Sequence, residues 1–139
     1  MTDDITARLE ITETLNRYAW GYDTRDLEAI GNSFTVDGVF EVLLEGEAGW
    51  GPYEGRKAVV DWLAEVMETQ NDQRRHCITN PVFVELNDAR AVVDSYLLLT
   101  AVEAGKLQVV CTGTYRDEMS REEGVWRIRR KTLRLDNPF

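Results

Sequence analysis

The segment RRHCITNP, residues 74–81, holds the single histidine of the chain, His76. An imidazole titrates near neutrality, so it can serve as a general base, as a metal ligand or simply as a solvated surface group. To act as a base it needs a partner that fixes its tautomer. Asp23, in the stretch YDTRD after an aromatic-rich run, is the candidate, because a carboxylate there falls at the end of a helix whose stripe carries Tyr18 and Tyr22. The competing reading is a capping or turn residue, a description that suits Asp26 better. A zinc site is a poor fit. Cys77 and Cys111 lie 34 residues apart without a Cys-x-x-Cys pattern, and with one histidine they lack ligand spacing, so no metal is expected.

Other side chains can shape a binding space. Tyr18 and Tyr22 are four residues apart and share a helix face with Leu15. They are either pocket hydroxyls or core aromatics with wet tips. The Gly-rich stretch GEAGWGPYEG, residues 46–55, lacks the trailing Lys-Ser/Thr of a phosphate loop, and its glutamates would repel phosphate. It reads as a surface connection or as a flap closing Trp50 and Tyr53 over a pocket. In VWRIRRKTLRL, Trp126 and Ile128 share one phase and Leu133 and Leu135 the other, which predicts a bulge in Arg129-Arg130-Lys131. Such a bulge aims Arg130 or Lys131 inward, where a cation binds an anionic group or developing negative charge; a solvated basic strand is the alternative.

The elements that must position these residues follow from periodicity. Residues 3–21 carry Ile5, Leu9, Ile11, Leu15, Tyr18, Ala19 and Tyr22 at helical spacing. Asp26 caps a second helix over Leu27 to Phe34, and a third spans about Arg56 to Thr69. DGVFEVLLEG, HCITNPVFVEL, RAVVDSYLLLTAV, KLQVVCTGTYRDEM and GVWRIRRKTLRL read as strands separated by turn signals. The strand from His76 alternates so that His76, Ile78, Asn80, Val82, Val84 and Leu86 face inward, and Pro81 marks an edge or a bulge. The order is that of an α+β domain, helices first and then hairpin-linked strands, with the sheet curling over the helices to enclose a space.

Bulk properties narrow the classes. The 139 residues suit a single domain, 1–139, without repeats or linkers. A net charge of -9 opposes nucleic-acid binding, which depends on clustered Lys and Arg. No run approaches the ~18 apolar residues of a membrane helix, and MTDDITARLE lacks signal-peptide character, so a cytoplasmic location is expected. The cysteines read as reduced, mostly buried thiols.

Together, RYAWGYDTRDLEAIGNSFTVDGVFE, RRHCITNPVF and GTYRDEMSREEGVWRIRRKTLRL resemble the SnoaL-like branch of the NTF2-like superfamily, over about Ile5 to Leu135. The resemblance implies an NTF2-like cone, three N-terminal helices packed on a strongly curved mixed, mostly antiparallel sheet enclosing a pocket. Within the branch the chain is most similar to scytalone dehydratase and hexachlorocyclohexane dehydrochlorinase, which use an Asp-His dyad for elimination. Asp23 and His76 fall on that dyad. Tyr22 matches the dehydratase's helix tyrosine, Tyr18 replaces a dehydrochlorinase lysine, and Lys131 takes the place of its late-strand arginine. The chain departs at Ala101 and Val42, where the dehydratase has a second histidine and a second tyrosine, so scytalone is not the expected substrate.

The implied activity is that of a cofactor-independent lyase or isomerase. It removes a proton from carbon in a small, mostly apolar, cyclic, polyketide-like or terpenoid metabolite. Tyr18, Tyr22, Trp50, Arg130 and Lys131 are the expected substrate-binding residues. The alternative is a non-catalytic small-molecule-binding module, or the small (beta) subunit of a ring-hydroxylating dioxygenase. The resemblance also implies a homo-oligomer, a trimer ahead of a dimer.

Overall fold

A computed structural model describes residues 3–138. The chain begins with α1 (Asp4–Asp23), whose amino end is closed by Asp3 accepting a hydrogen bond from the Thr6 N–H at 3.1 Å. The helix buries Ala7, Ile11, Leu15, Tyr18 and Tyr22 along one stripe. Ile5 and Leu9 lie off that stripe and are exposed, so only the later part of the expected apolar periodicity reaches the core. Asp26 caps α2 (Leu27–Ser33) by accepting from the Ala29 N–H at 3.0 Å.

Two strands then intervene before the third helix, which corrects the helices-first order. They are β1 (Phe34–Leu44) and β2 (Glu47–Glu54), and α3 (Arg56–Glu68) follows them. The Gly-rich stretch is therefore mostly a strand rather than a loop or a flap. Its glycine content has a packing reason, since a Cβ on Gly49 would lie 1.9 Å from the Val42 carbonyl oxygen. Only glycine lets the two backbones approach that closely. The remaining strands are β3 (Gln73–Leu86), β4 (Arg90–Glu103), β5 (Lys106–Glu122) and β6 (Val125–Leu135).

The strands form one six-stranded sheet in the order β2-β1-β6-β5-β4-β3. The β1–β6 pair is parallel and the others are antiparallel, a mixed, mostly antiparallel sheet as expected. The helices cover one face, and Ile11, Ile30, Phe34, Val59, Val93 and Ile128 are fully buried between the layers. No helix among the described residues is long and apolar enough to cross a membrane.

Irregularities in β3 and β6 decide which side chains face inward. In β3, an edge strand, the register slips between Thr79 and Val82, with Asn80 in the left-handed region at φ 56°. The bulge expected at Pro81 is present. It reverses the alternation over the next residues, so that Asn80, Val82 and Val84 are exposed and Phe83 turns inward, until a second register shift between Phe83 and Glu85 returns Leu86 to the core side as expected. In β6, Ile128 pairs with Met119 and Arg130 with Glu118, which leaves Arg129 as the extra residue of a bulge. Beyond it Lys131, Leu133 and Leu135 point to the core. Cys111 is buried but Cys77 is exposed, which corrects the expectation for one of the two thiols.

Candidate active site

Asp23 ends α1 in an unusual helix stop. The Arg25 N–H donates to the Tyr22 carbonyl at 3.0 Å and the Asp26 N–H to the Gly21 carbonyl at 2.8 Å, the paired closure that normally places glycine at the left-handed position. Here that position is Arg25, at φ 57°. A left-handed non-glycine residue costs about 1–2 kcal/mol. The guanidinium offsets this by donating to the Met67 carbonyl at 2.8 Å and the Gln70 carbonyl at 2.7 Å, tying the end of α1 to the end of α3. The Gln73 amide adds a bond to the Asp23 carbonyl at 2.9 Å. The backbone of Asp23 is thus fixed from two sides.

Its carboxylate holds His76 at two points. Oδ1 lies 2.6 Å from the imidazole Nδ1, and Oδ2 accepts the His76 backbone N–H at 2.8 Å. Both side chains are more than nine-tenths buried. A carboxylate on Nδ1 favours the tautomer with the proton there, leaving Nε2 with a lone pair. Nε2 has no hydrogen-bond partner among the described residues, and His76 lines a cavity of about 450 Å³ between the helices and the sheet. The Tyr22 ring packs against the imidazole with centroids 4.5 Å apart, and its hydroxyl donates to Gln70 Oε1 at 2.9 Å. Burial pushes the Tyr22 phenol up from its ordinary range, against the pull of the Gln70 bond.

The cavity wall is apolar on the sheet side, where Val42, Leu97, Leu99 and Leu133 contribute. Trp50 reaches it from β2, and Trp62 from α3, the latter stacked on Tyr53 with centroids 4.2 Å apart. Of the two residues expected over a pocket, Trp50 lines the space, whereas Tyr53 does not line it and stacks on Trp62. Polar groups gather at one side, where Arg74 Nε donates to Asp72 Oδ1 at 3.0 Å.

The two cations of β6 separate. Arg130 points away from the cavity and donates to Glu41 Oε1 at 3.2 Å, which removes it from the expected substrate contacts. Lys131 does turn inward, but it is sealed beneath the cavity rather than lining it. Its Nζ lies 2.9 Å from Asp117 Oδ1, and both side chains are fully buried. Burial drives the lysine pKa down and the aspartate up, each opposed by the partner's charge. The ammonium also sits 4.0 Å from the Tyr115 ring centroid and 4.6 Å from that of Tyr18. Among the described residues no group of three or more His, Cys, Asp or Glu is placed to hold a metal.

Three contributors had no assigned role in the sequence: Arg25, the Arg74–Asp72 pair and the Tyr115–Asp117 segment. The last left a signal. Cys111, Gly113, Tyr115, Asp117 and Met119 alternate on one face of β5, so an ionised aspartate in the buried phase demanded a buried cation. Arg25 left none, because arginine carries no marker for a left-handed helix stop.

A sequence model of the SnoaL-like domain matches residues 3–132 of the chain. The chain belongs to the SnoaL-like domain family. This is the SnoaL-like branch of the NTF2-like superfamily, and the helix-on-sheet architecture described above is its fold. No curated protein matches this SnoaL-like domain in sequence. Among solved structures it is similar to a Catenulispora acidiphila protein in complex with S-DNPA, with 27% identity over 96% of each chain and a TM-score of 0.83. It is also similar to the D26N form of Rv3472, a protein of unknown function from Mycobacterium tuberculosis, with 26% identity over 96% of this chain and 73% of that one and a TM-score of 0.80. The fold is shared with a protein described as the beta subunit of an aromatic-ring-hydroxylating dioxygenase from Novosphingobium aromaticivorans. That likeness has 18% identity over 96% of this chain and 92% of that one, with a TM-score of 0.82.

Proposed function

We propose that this SnoaL-like domain is a cofactor-independent lyase or isomerase in which His76 Nε2 removes a proton from carbon and Asp23 fixes and balances the imidazole. The observation that carries the reading is the two-point grip of one carboxylate on both the Nδ1 and the backbone N–H of the only histidine. A binding module has no need of that arrangement. A base needs it, since the carboxylate selects the tautomer and stabilises the imidazolium formed on proton transfer. The low-dielectric surroundings strengthen that stabilisation.

The cavity supports a small cyclic metabolite. Its volume of about 450 Å³ lies within the usual range of roughly 300–1,000 Å³ for small-molecule sites, and its apolar wall suits a flat or polycyclic carbon skeleton. The bound S-DNPA of the Catenulispora relative supports a small-molecule occupant for this chain. The reaction as written needs no redox or metal group. Tyr22 packs the imidazole and Trp50 closes one wall; Lys131 acts beneath the site rather than on the substrate. The outer face of the sheet leaves Tyr96, Leu107 and Val109 exposed, an apolar patch that supports assembly into a homo-oligomer; the resemblance, not this patch, puts a trimer ahead of a dimer.

The test is proton exchange at carbon in deuterated water, with cyclic β-hydroxy ketones and their dehydrated products as probes. Native protein is expected to incorporate deuterium and to interconvert a matching pair, and His76→Gln to lose about 10²–10⁴-fold in rate, the usual contribution of a general base. Equal rates in native protein and variant contradict the reading. Co-purification with a large iron-sulfur subunit would instead favour the dioxygenase-subunit alternative.

A further inference from the structure

Helix and strand residues wall the cavity on every side but one. There residues 69–72, the irregular connection between α3 and β3, all line it, and no other connection between the described elements does. A segment outside helix and sheet has no hydrogen-bond ladder, so other groups must set its position. Backbone bonds fix its start, with the Thr69 N–H donating to the Val66 carbonyl at 3.1 Å and the Gln70 N–H to the Met67 carbonyl at 3.0 Å. Beyond that the anchor comes from α1. The Arg25 guanidinium donates to the carbonyls of Met67 at 2.8 Å, Gln70 at 2.7 Å and Asp72 at 3.4 Å, so one side chain spans the connection. One turn earlier on the same helix, the Tyr22 hydroxyl donates to Gln70 Oε1 at 2.9 Å.

We propose that Arg25 is a positioning residue for ligand binding: it presets the wall formed by residues 69–72 and leaves the Asp23–His76 pair to other bonds. This rests on the small-molecule reading of the cavity and adds the residue that keeps it in shape for an occupant. A loop that orders only on binding subtracts from affinity, whereas a wall ordered beforehand spares the ligand that cost. The backbone of Arg25 points the same way. It stands at φ 57°, a left-handed position that glycine fills without strain, so a strained arginine there is accounted for by what its guanidinium holds.

The dyad does not depend on that guanidinium. The Asp23 carboxylate holds both the Nδ1 and the backbone N–H of His76, and the Gln73 amide donates to the Asp23 carbonyl. The closure of α1 is made by the backbone N–H groups of Arg25 and Asp26, which a glycine at position 25 retains. Removing the guanidinium therefore loosens the wall while the imidazole keeps its partner. The loss is partial, because Tyr22 still holds Gln70 and Arg74 still pairs with Asp72 at 3.0 Å.

The probe is 2-naphthol, a neutral flat aromatic, with dissociation constants read from tryptophan fluorescence, since Trp50 and Trp62 line the cavity. Three forms are compared: native protein, Arg25→Gly, which suits the left-handed backbone, and Arg25→Lys, which keeps the charge but not the fork that reaches several carbonyls. Arg25→Gly is expected to bind about tenfold more weakly, equal to about 1.4 kcal/mol and close to the cost of ordering one residue's backbone. Arg25→Lys should fall between it and native protein. In both variants amide hydrogen exchange should quicken over residues 69–72, while the Nδ1 proton signal of His76 stays as in native protein. That last readout separates positioning of the wall from damage to the dyad. Weaker binding with unchanged exchange over residues 69–72, or with loss of the His76 signal, overturns the proposal. Native binding that Arg25→Gly matches removes Arg25 and leaves the small-molecule reading standing; if native protein takes up no 2-naphthol, that reading fails and the proposal with it.

Discussion

Replacing Lys131 by methionine leaves Asp117 as a fully buried carboxylate with no cation within reach, and the cost can be worked from that geometry. Both groups are 0% exposed and 2.9 Å apart, so neither has water to fall back on. Breaking a buried pair from one side costs about 3–5 kcal/mol. For a chain of this size that is roughly 9–20 °C in melting temperature, at about 3–4 °C per kcal/mol. The pH dependence has a definite sign. Burial raises the Asp117 carboxyl in the folded state and Lys131 opposes that rise, so removing the lysine lifts it further above its unfolded value of about 3.9. The folded variant then binds its proton before the unfolded chain does, and its stability rises as pH falls through that window. Thermal unfolding of native protein, Lys131→Met and Lys131→Met/Asp117→Leu between about pH 4 and pH 8 reads this directly. The gap between native and single variant should narrow with acid, and the double variant should recover most of the loss. A loss below about 1 kcal/mol, or a gap that widens with acid, refutes the buried-pair argument.

Arg25 offers a second test, because its backbone strain and its guanidinium bonds can be separated. Arg25→Gly and Arg25→Ala both lose the ties to α3, but only glycine relieves the left-handed strain, so the glycine variant should melt as the more stable by about 1 kcal/mol. Asp23→Asn should lower turnover of any substrate found, toward the loss expected for His76→Gln, because the imidazole loses the carboxylate that fixes it. The thiols should differ sharply: Cys77 is exposed, whereas Cys111 is buried and pushed up to about 11. A disulfide thiol reagent near pH 8 should therefore modify one thiol per chain quickly, and Cys77→Ser should abolish that fast phase.

The fold class and the contact between Asp23 and His76 could be anticipated because strong local patterns combine with a specific family resemblance. Strand alternation put His76 inward, and the phase slip in VWRIRRKTLRL located the β6 bulge that turns Lys131 to the core. Alternation failed for Asn80, Val82 and Val84, which the Asn80 bulge exposes, and held again at Leu86 after a second register shift; composition announces neither shift. The Gly-rich stretch was misread because glycine permits both loops and close strand contact. Only the neighbouring strand, with the Val42 carbonyl against Gly49, decides between them. Lys131 was assigned to the substrate because the resemblance places it on a late-strand arginine and the bulge turns it inward, while its partner Asp117 was not paired with it. Sequence separates those two residues by fourteen positions, and only the β5–β6 register brings them together.

The proposed chemistry depends on which nitrogen of one imidazole carries the proton. Because His76 is the sole histidine, nitrogen-15 spectra report its two ring nitrogens without assignment ambiguity. With the ring in its neutral form, the native protein is expected to show a single tautomer, protonated at Nδ1 with Nε2 bare, and a strongly deshielded Nδ1 proton. In Asp23→Asn that proton signal should be lost and the tautomers should mix. A native ring protonated at Nε2, or an averaged ring that ignores the substitution, would contradict the dyad and with it the proposed chemistry.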